Sequence, residues 1–89
     1  MSSTRLLVFY DKTCIACIMF ASLMKEAGYR WNYDIVEVYE ASRNPDMFEK
    51  YQIETIPRAL EIDEHGNVIE VYRGLASFDK LTKFMVRDE

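Results

Sequence analysis

Apolar and polar positions follow several distinct rhythms along this chain, and each rhythm predicts an element. The run RLLVFY (Arg5–Tyr10) is dense in β-branched and aromatic residues and too short for a helix, so it predicts a buried strand. Between Cys14 and Ala27, the residues Ala16, Met19, Phe20, Leu23 and Ala27 recur at helical spacing, and Gly28 supplies a stop. Tyr33–Tyr39 mixes apolar and acidic residues with a strand-like rhythm. Ser42–Tyr51 predicts a short helix capped by Asn44, with Pro45 at the first helical position and Met47, Phe48 and Tyr51 facing inward. The segments ALEID and NVIEVYR flank Glu64-His65-Gly66 and predict an antiparallel hairpin. Gly74 breaks the chain, and Ser77 caps a last helix whose apolar face is Phe78, Leu81, Phe84 and Met85.

The expected order is β-α-β-α-β-β-α. Strands separated by helices pair in parallel through right-handed crossovers, and a closing hairpin adds antiparallel strands. This predicts an α/β fold: a mixed four-stranded sheet with helices packed on its faces.

Composition narrows the picture. The 89 residues predict a single domain over 1–89, and 49% apolar residues with only three glycines and two prolines favour a packed globule over disorder. The net charge of −4, with basic residues scattered singly among acids, argues against nucleic acid. The N-terminal apolar run is shorter than a secretory core or the roughly 20 residues of a membrane span, so a cytoplasmic protein without a membrane role is expected. No coiled-coil pattern calls for an oligomer, and a monomer is expected.

Two cysteines cannot build the framework of a small secreted domain, but in a reducing compartment a close pair does chemistry or binds metal. Cys14 and Cys17 of CIAC lie where a strand and loop give way to a helix. The free N–H groups and the dipole of a helix N-terminus favour thiolate over thiol at Cys14. Lys12 adds favourable charge, partly offset by Asp11. Cys17, one turn on and on the same face, is within reach of Cys14. The spacing therefore makes Cys14 the attacking thiol and Cys17 the resolving one. Other readings of the pair are half a zinc site, two inert buried cysteines, or a copper-chaperone domain of ferredoxin-like type. The single histidine, His65, lies in a predicted turn far from the pair and reads as a loop residue rather than a ligand or base. Trp31 and Tyr33 read as edge and core packing, and Asp34, Glu37 and Glu40 as a solvated face.

Thr55-Ile56-Pro57 ahead of a predicted strand changes the weighting. Together with CIAC, and with NPDMFEKYQIETIP (Asn44–Pro57), it resembles the thioredoxin and glutaredoxin families along almost the whole chain. The resemblance implies a thioredoxin-like fold, a cis Pro57 packed against the redox pair, and an Ile56 backbone that pairs with an extended peptide or glutathione. Gly74 would then let substrate approach. Departures are also plain. The residues before and between the cysteines are Thr13 and Ile15-Ala16 where thioredoxins carry Trp and Gly-Pro, and Val8 replaces their buried strand Asp. Lys12-Thr13-Cys14 resembles the approach to the glutaredoxin motif, whereas Arg73-Gly74-Leu75 lacks the glutaredoxin Gly-Gly.

The expected activity is that of a thiol–disulfide oxidoreductase reducing protein disulfides, with catalytic Cys14 and Cys17 and substrate-binding Lys12, Ile56, Pro57 and Gly74. Apart from the redox-active disulfide, no cofactor and no metal is expected. The resemblance suggests ribonucleotide reductase as an electron acceptor, and either thioredoxin reductase or glutathione as the donor. The alternatives are a glutathione-dependent glutaredoxin and, from another class, a thioredoxin-fold adaptor that holds a peptide beside Pro57.

Overall fold

Strand β1 (Arg5–Tyr10) is the axis of the structure, a computed structural model that describes residues 3–88. Leu6, Leu7, Val8 and Phe9 are all buried because both faces of this strand are covered. It pairs in parallel with β3 (Val36–Glu40), Val8 lying opposite Val38. On its other side it pairs antiparallel with β4 (Arg58–Ile62), which in turn pairs with β5 (Val68–Tyr72). The four-stranded order is β3-β1-β4-β5, the mixed sheet expected. The hairpin turn is built by Asp63, whose Oδ1 accepts the N–H groups of His65 and Asn67 at 2.9 Å each.

Two cores sandwich the sheet. On one face Leu7, Phe9, Leu60 and Ile62 meet Met47, Phe48 and Tyr51 of the α2 region (helix α2, Pro45–Lys50). Phe9 and Phe48 meet edge to face with centroids 5.1 Å apart. On the other face α1 (Ile15–Glu26) covers Leu6, Val8 and Ala59, its Phe20 stacked on Trp31 at 5.9 Å. Helix α1 ends at Gly28, whose φ of +78° suits a residue without a side chain.

Several expectations are corrected. The inward face of α1 is Cys17, Phe20 and Met24, whereas Ala16, Met19 and Leu23 point outward. The helix is apolar nearly all round, so spacing alone offers two faces, and packing against Trp31 selects one. Strand β3 begins at Val36 because Asn32 forms a turn, its Oδ1 accepting the Asp34 N–H at 3.1 Å. Trp31 is buried but Tyr33 is exposed. Glu37 and Glu40 are not a solvated face: Glu37 binds Arg5 and the Tyr39 hydroxyl, and Glu40 is buried near Arg43. Asn44 and Pro45 open α2 as expected, but the Asn44 side chain accepts from the Glu40 N–H and caps nothing in the helix.

The C-terminal region differs most. The long last helix is replaced by a 3₁₀ turn (Gly74–Ser77), a four-residue α3 (Phe78–Leu81) and a second 3₁₀ turn (Thr82–Phe84). Met85 then enters β6 (Met85–Arg87), which pairs with an unforeseen β2 (Tyr29–Trp31). Burial of Met85 is kept, now from a strand that sets it opposite Trp31. Ser77 makes no helix cap; its Oγ accepts the Arg73 N–H at 3.0 Å. Among the described residues no helix is long and apolar enough to cross a membrane.

Candidate active site

The loop leaving β1 sets the geometry of the cysteine pair. Thr13 Oγ1 donates to Asp11 Oδ2 at 2.6 Å, and this bond, with backbone N–H groups, holds the Asp11 carboxyl below the ordinary range. The Cys14 N–H donates to the Asp11 carbonyl at 3.1 Å, so a tight turn delivers Cys14 to the start of α1. Cys14 is the N-cap: its backbone is extended, its carbonyl receives the Ile18 N–H at 3.0 Å, and its Sγ accepts the Cys17 N–H at 3.2 Å. A sulfur in the place of the usual capping oxygen thus receives a helix N–H directly.

Both cysteines are free thiols. Cys14 is half-buried and its thiol points at the Ile56 carbonyl, 3.8 Å away. Cys17 is buried, and burial first, then its link to Cys14, pushes its thiol up to about 11. The two sulfurs therefore occupy unlike environments, one half-exposed and one buried beneath the helix.

Three more predicted residues converge here. Ile56 faces Cys14 through its carbonyl, and the Ile56–Pro57 peptide bond is cis. Arg58 pins this loop by donating to the Thr55 hydroxyl and carbonyl. Gly74 adopts φ +60° against Pro57, where a Cβ would lie 3.1 Å from Pro57 Cγ. Lys12 is exposed on the turn, and among the described residues no hydrogen bond or ion pair joins it to either sulfur. Exposed Ile15, Ile18 and Leu75 form an apolar rim beside Cys14.

Sequence reasoning missed the space behind the pair. A groove of about 380 Å³ opens beneath α1, with Cys17, Val8 and Pro57 among its walls. The signal was Val8, an apolar residue where the resembled family buries an acid. Arg58 was also missed as the residue that holds the Ile56 loop.

A family model for thioredoxin matches residues 1–87. Comparison with curated proteins finds no match. Among solved structures, the thioredoxin-2 described as a component of the malaria parasite's protein secretion machinery superposes with a TM-score of 0.69 at 16% identity, covering 92% of this chain and 80% of that one. The Schistosoma mansoni thioredoxin pre-protein gives 0.66 at 21% identity, over 91% and 78%. Deadhead, the germline-specific thioredoxin of Drosophila melanogaster, gives 0.65 at 20% identity, over 91% and 76%. At these identities the likeness is one of fold.

Proposed function

The chain belongs to the thioredoxin family, and from that premise we propose that it is a dithiol reductase of protein disulfides, acting as one domain in a reducing compartment such as the cytoplasm. The observation that carries this reading is the asymmetry of the pair. Cys14 is open to a partner at the helix N-terminus, and Cys17 is held beneath it with its amide on the Cys14 sulfur.

Chemistry proceeds in two exchanges. The Cys14 thiolate attacks one sulfur of a substrate disulfide; a Cys14–substrate disulfide forms and the second substrate sulfur leaves as thiolate. Cys17 then loses its proton and attacks the Cys14 sulfur, forming the Cys14–Cys17 disulfide and releasing the first substrate sulfur. The substrate gains two electrons and two protons, and the protein loses the same. The Cys17 N–H that rests on Cys14 stabilises negative charge there before attack. The Ile56 backbone beside Cys14 offers an extended peptide a place to pair, and the apolar rim of Ile15, Ile18 and Leu75 suits a protein surface better than a small polar thiol. A protein substrate of this kind, ribonucleotide reductase among them, draws its electrons through this chain from thioredoxin reductase or from glutathione.

The deciding assay follows NADPH oxidation during insulin reduction, with thioredoxin reductase in one arm and glutathione with glutathione reductase in the other. Turnover in either arm that is abolished by Cys14→Ser supports the reading, and the productive arm names the donor. No insulin reduction by the chemically reduced protein, with peptide binding kept in Cys14→Ser, overturns it in favour of an adaptor.

A further inference from the structure

We infer that the groove beneath α1 binds a medium-chain carboxylic acid, acyl chain toward Cys17 and carboxylate between Lys25 and Arg30; its effect on turnover rests on the reductase reading above. The groove, about 380 Å³, has the size of a small-molecule site, and apart from Cys17 and Pro57 its walls take no part in disulfide exchange as described. Cys17 and Pro57 close one end, and Lys25, Arg30 and Asp88 stand at the other. From Cys17 to Lys25 the helix climbs about 12 Å at its usual rise, so the space is long rather than round.

The walls specify the occupant. Val8 sits opposite Val38 on an apolar stretch of the floor, and Tyr10, Tyr29 and Tyr33 add aromatic rings with their hydroxyls to the walls. A charged group placed against that stretch would lose its water without a compensating charge. The inner part of the ligand is therefore a plain hydrocarbon, packed against Phe20 and Trp31. The mouth is different. Lys25 and Arg30 are exposed, and Arg30 Nη1 is held there by the Trp31 carbonyl at 3.3 Å. Asp88 offsets one of these charges; two cations against one carboxylate leave the mouth favouring an anion. Length, mainly apolar walls and a cationic mouth together select an unbranched chain with a terminal carboxylate.

An acyl chain in this position excludes water from the back of Cys17. The resolving thiol must shed its proton to attack Cys14, and a water-free surround hinders that loss. Occupancy therefore slows disulfide turnover, and oxidation of the pair reciprocally alters affinity for the acid.

The reduced full chain is titrated with decanoate, decanol and decylammonium below their micellar concentrations, reading the emission of Trp31, the single tryptophan, which lines the groove. Saturable change with decanoate, about tenfold weaker with decylammonium, is expected. The exposed pair Lys25→Glu with Arg30→Glu should weaken decanoate about tenfold, equivalent to about 1.4 kcal/mol. Ala21→Phe, entering the groove from an exposed position on α1, should abolish binding while the melting temperature is kept. No saturable response in the wild type, or equal affinity for all three headgroups, overturns the proposal. Saturation of Trp31 with unchanged insulin turnover overturns the coupling alone. Absence of any insulin turnover sinks the reductase reading instead, since the Trp31 titration reports binding without it.

Discussion

Gly74→Ala isolates the contact that seats Pro57. Gly74 lies at φ +60°, a conformation that costs an alanine about 1–2 kcal/mol relative to its preferred regions. The new methyl would stand 3.1 Å from Pro57 Cγ, with Pro57 Cδ and carbonyl oxygen at 3.7 and 3.8 Å. The first of these must open by a few tenths of an ångström. The expected loss of stability is therefore about 1–2 kcal/mol, which lowers the melting temperature of a domain this size by roughly 4–16 °C. Displacing Pro57 also displaces Ile56, whose carbonyl faces the Cys14 thiol at 3.8 Å. Because a misplacement of about 1 Å can cost a hundredfold in rate, a shift of a few tenths should lower kcat/KM for insulin several-fold. Gly74→Asn separates the two causes, since asparagine tolerates positive φ yet carries the same Cβ. It should recover much of the stability and none of the activity. The reasoning fails if Gly74→Ala melts and turns over like the wild type, or if Gly74→Asn restores insulin reduction.

Three further outcomes follow from the same geometry. Cys17→Ser should accumulate a mixed disulfide at Cys14 with substrate, visible by mass spectrometry, while Cys14→Ser accumulates none; equal trapping at both positions would contradict the roles assigned to the thiols. The buried Glu61 accepts the Tyr72 hydroxyl at 2.8 Å and lies 3.5 Å from Lys83 Nζ, so Glu61→Ala should cost about 1–3 kcal/mol by urea unfolding; adding Tyr72→Phe should cost little more, because the hydroxyl is already stranded. The Cys17 thiol is raised from 9.0 to about 11 in the fold, so its neutral form stabilises the reduced protein fully below pH 9 and progressively less as the pH climbs through 11. Between pH 8 and 10.5 the reduced wild type should lose more stability than Cys17→Ser, and parallel losses would show that burial of this thiol is not the cause.

What could be read from sequence, and what could not, divides along the range of the interactions. Arg5–Tyr10 is a run dense in β-branched and aromatic residues and too short for a helix, so it was legible as a strand with the bounds observed. The hairpin was legible from its turn residues, and α2 from Asn44-Pro45, because those signals are local. The β2–β6 ribbon was not, since three-residue strands paired across most of the chain leave no period to detect. The same pairing ends the C-terminal helix early, as Met85 gains more by closing the core under Trp31 than by extending α3. In the site, Cys14, Cys17, Ile56, Pro57 and Gly74 could be named from motif and resemblance, whereas the groove is a space left between β1, α1, β2 and β3, and no single segment encodes it. Helix α1 joins both cases. Its inner residues Cys17, Phe20 and Met24 are apolar for the core, and its outer residues Ile15, Ile18 and Met19 are apolar yet exposed. A helix that buries one side and, on the proposed function, offers the other to a protein partner shows little amphipathic contrast, so its orientation is illegible from spacing alone. Polar replacement at Ile15 or Ile18 would sharpen the pattern without disturbing the core, and on the proposed function it should weaken protein-disulfide reduction.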